Sequence, residues 1–303
     1  MTTALIETDR LTKRYRGARG IDDVTLRVEC GEVFGFLGPN GAGKTTMIRT
    51  LLDLLHPTSG SARLFGLDSR RDGPAIRARL GNLPGEFACD PRRTGREIVT
   101  LFAALRGMPG LGRTDELADR FGADLDRPIG QLSRGNRQKI GLIQALFHAP
   151  ELLILDEPTG GLDPLMQQAF HELVAEERDR GTTILLSSHD LDEVQRLCDR
   201  VAIIRDGRLV TVEHVAALTQ RRSRHVTVRF AGTADADAGE LRALPGVSAV
   251  ETDGPQVRFS VAPGALDTVV KALARHEIAD LELAHPSLEE IFLTYYAHEE
   301  APA

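Results

Sequence analysis

The segment that most constrains this chain is GPNGAGKT at 38–45. It follows the apolar run VFGFLG (33–38) and opens a helical pattern, TTMIRTLLDLLH (45–56). A buried strand that turns at once into a helix belongs to α/β sheets, where crossover helices return the chain to parallel strands. The pattern G-x-x-x-x-G-K-[ST] therefore sits in the context it needs. Gly38, Pro39, Asn40, Gly41, Ala42 and Gly43 make a loop whose backbone N–H groups can face phosphate oxygens. Lys44 is placed to reach the outer phosphates. Thr45 offers a hydroxyl to Mg2+, and Thr46 lies in the first helical turn, whose N-terminus favours an anion.

The surrounding pattern agrees with this reading. VTLRVE (24–29), LLILDE (152–157), TTILLSS (182–188) and VAIIRDG (201–207) read as further strands. The central ones are continuously apolar, as in a parallel sheet covered on both faces. Helical stretches lie between them at 96–107, 115–122, 136–148, 164–181 and 191–199, and residues 87–148 read as a helical insertion. A basic, polar stretch at 216–224 marks a boundary. Beyond it, HVTVRFA, AGELRAL, VSAVET, QVRFSV, ALDTVVKALARH and IADLELA follow the order β-α-β-β-α-β of a ferredoxin-like unit. A last helix is expected at 288–296. The expected domains are 1–218 and 225–303.

Composition removes other classes. Of 303 residues, 42% are hydrophobic, too many for a disordered chain, and the net charge of −7 argues against a nucleic-acid binder. No apolar run approaches the roughly 18 residues of a membrane span. The start, MTTALIETDRLTKRY, is charged too early for a secretory signal. Cys30, Cys89 and Cys198 are scattered, which fits a reduced chain with neither disulfides nor a zinc site. Lysine is scarce, occurring only at 13, 44, 139 and 271, so Lys44 inside the glycine-rich loop stands out.

LLILDEPTGGLD (152–163) ends a buried strand in two carboxylates. Asp156 can hold Mg2+, and Glu157 can polarise a water for attack on a terminal phosphate. LSRGNRQK (132–139) starts a helix, with Ser133 as a cap and Gly135 allowing an anion to approach the backbone. Together GPNGAGKTT, LSRGN, LLILDEPT, GGLD and SSHD, in this order, resemble the nucleotide-binding subunit of ABC transporters over about residues 5–215. The resemblance implies an α/β P-loop NTPase with a parallel-sheet core and an inserted helical subdomain, followed by the small α+β C-terminal domain. It implies ATP and Mg2+ as cofactors, and the absence of an N-K-x-D motif supports ATP over GTP.

The resemblance also assigns roles. Tyr15 is the aromatic that stacks on adenine, or else a core tyrosine. Ser133 and Gly135 meet ATP bound to an opposing subunit, and Asp163 couples the two nucleotide sites. His189 is the switch histidine, hydrogen-bonding the γ-phosphate or the attacking water, and Glu157, His189 and Lys44 make up the catalytic set. Two departures stand out. The signature reads LSRGN where the family has LSGGQ, so Arg134 and Asn136 replace glycine and glutamine. Where the family has a metal-contacting glutamine, this chain has Gly85 and Glu86, so either Glu86 reaches the metal or the contact is lost. LSRGNRQKIGLIQALFHAPELLILDEPTGGLDPLMQ and the tail SLEEIFLTYY are similar to bacterial exporters of drugs, antibiotics or lipids with a type-2 permease. The implied partners are a separate integral-membrane permease and a second, identical ATP-binding subunit, with no nucleic acid. The implied place is cytoplasmic, peripheral on the inner face of the cell membrane. The alternative is a soluble ATPase switch acting on a ribosome or a regulator.

Overall fold

A computed structural model describes residues 4–15, 18–220, 224–231 and 235–284. The chain separates into two units, Met1–Glu213 and His214–Ala303.

The first unit contains two sheets. Strands β1 (Ala4–Tyr15), β2 (Ala18–Glu29), β4 (Ser59–Leu64) and β5 (Leu67–Asp68) form one, in the order β2-β1-β4-β5. Strands β3 (Val33–Leu37), β6 (Leu80–Leu83), β7 (Leu152–Asp156), β8 (Thr183–Ser188), β9 (Arg200–Arg205) and β10 (Arg208–His214) form the other, in the order β10-β9-β3-β8-β7-β6. From β9 through β6 this second sheet is parallel. Helix α1 (Lys44–Leu51) contributes Met47, Ile48 and Leu51 to a core shared with Ile6, Val24 and Leu64 of the first sheet and Phe34, Phe36 and Ile154 of the second. Burying each such large side chain stabilises the fold by about 1.5–3 kcal/mol.

Within the described residues the expected strands and helices are present, with three differences of local cause. β1 goes unread in the sequence because its alternation slips. Its register with β2 shifts between Thr8 and Leu11, where Arg10 takes a left-handed φ of 46°. Thr8 fills the irregularity from inside: its hydroxyl donates to Val24 O and accepts from Leu26 N. The expected helix 45–56 ends at Leu51, because Asp53 turns left-handed (φ 56°) and the N–H groups of Leu54 and Leu55 both return to Arg49 O. Helix α8 (Val215–Gln220) runs into the stretch 216–224 expected as a linker or boundary, with Val215 and Leu218 buried. Shorter elements also lie between the motifs: helix α2 (Gly73–Arg79), β4 and β10.

The helical region comprises α3 (Gly95–Leu105), α4 (Thr114–Phe121) and α5 (Arg134–Leu146). Thr94 begins α3 with a reciprocal capping box to Glu97. Helices α6 (Pro164–Asp179) and α7 (Leu191–Leu197) follow β7 and β8.

The second unit contains β11 (Arg224–Phe230), α9 (Asp235–Arg242), β12 (Val247–Asp253), β13 (Gln256–Val261), α10 (Leu266–Leu273) and β14 (Ile278–Ala284). The sheet order is β12-β13-β11-β14, antiparallel throughout, which is the ferredoxin-like arrangement. Val226, Val228, Phe230, Val257, Phe259 and Val261 point to one face and share a core with Leu241, Val269 and Leu273. The helix expected at 288–296 lies outside the described residues.

Candidate nucleotide site

The site is built at the carboxyl ends of three adjacent parallel strands, β3, β8 and β7. Ligands of open α/β sheets bind at such strand ends. β3 is wholly buried and runs straight into the glycine-rich loop. A Cβ on Gly38 would stand 2.5 Å from Ile204 O, so only glycine fits at the strand exit. Gly43, at φ 112°, caps α1 in a conformation that L side chains avoid. Ala42 is buried, its N–H bonded to Pro39 O, while Pro39, Asn40 and Gly41 are exposed and Thr46 is partly buried in α1.

Lys44 is 6% exposed. Its ammonium donates to Gly38 O at 2.5 Å and lies 3.2 Å from Glu157 Oε1. The Thr45 hydroxyl donates to Asp156 Oδ2 at 2.8 Å, and Ser187 Oγ donates to Asp156 Oδ1 at 2.5 Å. The second bond follows from the sheet, since Asp156 and Ser187 are register partners in β7 and β8. Glu157 leaves the strand with φ 50°, its N–H donating to Ser187 O. Its other oxygen, Oε2, lies 2.7 Å from His189 Nδ1. Lys44, Glu157 and His189 thus form one chain of charged and polar groups beside the Thr45–Asp156 pair.

Oxygen donors from a hydroxyl and a carboxylate, already adjacent at strand ends, fit a hard divalent cation such as Mg2+. A Cβ on Gly85 would stand 3.1 Å from Asp156 Oδ2, so residue 85 is the one that abuts the carboxylate. Glu86 is exposed, on the wall of an adjoining cavity that includes Arg134, Arg137 and Gln138.

Tyr15 is 38% exposed, which removes the core-tyrosine reading. Lys13 Nζ lies 5.5 Å from its ring centre. A Cβ on Gly20 would stand 3.3 Å from this ring, and one on Gly43 would stand 3.0 Å from Gly20 O. The ring therefore flanks the glycine-rich loop.

Ser133, Gly135 and Asp163 form a second group. Ser133 caps α5, accepting from Asn136 N, and Asp163 caps α6, accepting from Met166 N. A Cβ on Gly135 would stand 2.5 Å from Gly161 O, so the start of α5 rests against the GGLD turn. The Arg134 stem runs along Gly161. No hydrogen bond among the described residues joins Ser133 or Gly135 to the loop 38–46.

Two residues of the site escape sequence reasoning. Gln138, buried in α5, donates to Glu157 O and Pro158 O and ties the signature helix to the loop after Glu157. Glu193, buried in α7, accepts from Ser188 Oγ at 2.5 Å. Burial, with the nearby charges of Asp190 and Glu157, pushes its carboxyl pKa up.

Comparison with known proteins agrees with this geometry. The ABC transporter family pattern matches residues 21–160, and the pattern "ATP-binding protein DrrA1-3-like, C-terminal domain" matches 218–296. The chain is 38% identical to the daunorubicin resistance ATP-binding protein DrrA3 of Streptomyces coeruleorubidus, over 97% of this chain and 96% of that one. It is 40% identical to the bacitracin transport ATP-binding protein BcrA of Bacillus licheniformis, over 69% of each. Among solved structures, an ATP-binding subunit of an ABC transporter is 30% identical with a TM-score of 0.66, covering 71% of this chain and 91% of that one. A dimeric ATP-binding cassette holding ADP and phosphate shares the fold at 22% identity and a TM-score of 0.59, over 69% of this chain and 98% of that one.

Proposed function

This chain belongs to the ATP-binding subunits of ABC transporters, and we propose that it hydrolyses ATP to drive a separate membrane permease exporting a drug, antibiotic or lipid-like compound. Similarity to a daunorubicin resistance ATP-binding protein along 97% of the chain, and to a bacitracin transport ATP-binding protein over 69% of it, favours transport over a soluble switch on a ribosome or regulator. No helix among the described residues is long and apolar enough to cross a membrane, so the membrane path is assigned to the partner. On this reading the chain works at the inner face of the membrane, held there by the permease.

The observation that carries the proposal is the Lys44–Glu157–His189 chain beside Thr45 and Asp156. Tyr15 offers its exposed ring to the base. The loop N–H groups and Lys44 hold the phosphates. Thr45 and Asp156 would hold Mg2+, which neutralises phosphate charge when bound, while Glu86, turned to the adjoining cavity, is left out of the metal set. Glu157 orients a water towards the γ-phosphorus and accepts its proton as the bond to ADP breaks, while His189 keeps the Glu157 carboxylate aligned. Two identical subunits close head to tail, so that Ser133 and Gly135 of one meet the γ-phosphate held by the other, and Asp163 relays between the sites. Bound ATP favours the closed pair and hydrolysis removes that preference, which moves the permease between its states.

Glu157→Gln tests the assignment. It should bind ATP, dimerise with it and turn over about 100-fold more slowly or worse, the scale of a lost general base. Near-normal hydrolysis by this variant rejects the role given to Glu157.

A further inference from the structure

The turn carrying His189 and the loop following Glu157 meet over one buried carboxyl, that of Glu193. Ser188, immediately before His189, is fully buried. Its hydroxyl donates to Glu193 Oε2 and accepts from Asp190 N at 2.9 Å. Its carbonyl accepts from Gly38 N at 3.4 Å. Ser188 is thus fastened to the phosphate loop on one side and to Glu193 on the other. From the second loop, Thr159, two residues beyond Glu157, faces the same carboxyl.

Helix capping does not account for Glu193. Asp190 already caps α7, its carboxylate accepting from Asp192 N and Glu193 N. Nor is Glu193 paired with a cation: Oε1 is buried and has no hydrogen-bond partner among the described residues. An ionised carboxylate there would leave a charged oxygen uncompensated beside the charges of Asp190 and Glu157. A neutral acid leaves only an uncharged oxygen unmatched, which costs much less. The group is therefore suited to hold its two neighbours as an uncharged hydrogen-bonding wedge.

We propose that Glu193 is a positioning residue for hydrolysis: its buried carboxyl fixes the 188–190 turn against the 158–160 loop, so that His189 Nδ1 stays on Glu157. The proposal rests on the reading that Glu157 and His189 act together on the γ-phosphate. Because Lys44, Thr45 and Tyr15 are held by other elements, loss of the wedge acts on turnover and leaves ATP affinity nearly unchanged.

Steady-state ATP hydrolysis by the full chain tests it, with Glu157→Gln as the control. Glu193→Leu fills similar volume without the carboxyl. It should lower kcat by roughly tenfold or more while KM for ATP moves less than about twofold, the signature of a lost transition-state interaction. Glu193→Gln, with the shape of the neutral acid, should restore kcat to within about threefold of the parent, a rescue that filling the core alone would not give. Wild-type kcat in Glu193→Leu overturns the proposal, as does Glu193→Gln impaired as badly as Glu193→Leu. Unimpaired hydrolysis by Glu157→Gln, read in the same assay, overturns the site assignment beneath it.

Discussion

Glu157 holds a backbone conformation that an L-residue adopts at a cost of about 1 kcal/mol. That turn carries its carboxylate away from Asp156 and into reach of both Lys44 and His189, so two adjacent acids take separate roles. The carboxylates, lysine and histidine were legible because motif spacing exposes them. Gln138 and Glu193 were not, since a polar residue inside a helical pattern reads as part of a solvated face until packing buries it. A third polar residue of this kind, His148, makes a different prediction. It sits just past α5 with Nε2 near Leu80 O, and burial, with Arg106 nearby, lowers its pKa to about 4. Unfolded histidine binds its proton near pH 6.5, before the folded form does. The contribution of neutral His148 is therefore complete above that pH and is lost as pH falls from about 6.5 towards 4. His148→Gln should flatten this acid limb by about 1–3 kcal/mol, read from denaturant midpoints at pH 7 and pH 4.5.

At the scale of elements, a buried ion network joins α4 to α6 and the start of β8. Glu177 is 2% exposed and accepts from Arg113 at 2.5 Å and Arg180 at 2.6 Å, with the Thr182 hydroxyl at 3.4 Å. Hydrogen bonds from Arg113 to Glu116 and Glu177 hold the guanidinium firmly protonated. Removing the central carboxylate takes the buried partner from both Arg113 and Arg180 and leaves Glu116 as the remaining acid on Arg113. Glu177→Ala should therefore destabilise the first unit by about 3 kcal/mol, measured by chemical denaturation. None of this is visible in the sequence, where Glu177 is one acid among several in AEERDR. Elements themselves were legible wherever one period held throughout, as in β7 and α5. They were hidden where it broke, as at Arg10 in β1, or where the chain was short, as in α2.

For the whole molecule, the proposed transport role calls for a surface on which a permease can seat. A groove of about 600 Å3 lies between α2, α3 and the 84–89 loop, lined by residues including Pro74, Leu80, Phe87 and Phe102. Leu54 and Leu105 stand at it 67% and 73% exposed, an apolar surface ending beside the loop that abuts Asp156. A helix of the permease seated here would touch the metal-side loop directly. Leu54→Asp with Leu105→Asp should abolish co-purification of the permease from membranes while the variant still binds ATP. Retained co-purification would move the docking site elsewhere.

The parallel sheet also sets the order in which this site can come into being. The glycine-rich loop leaves β3, but β3 pairs with β8, and Gly31 bonds to Thr183, 152 residues later. At about 5–20 residues per second, synthesis takes roughly 8–30 s to cover that distance. Until then the five apolar residues of β3 have no neighbour on that side. The nucleotide loop is made early and completed late, so a nascent chain stalled before residue 183 carries an uncovered strand edge and no site.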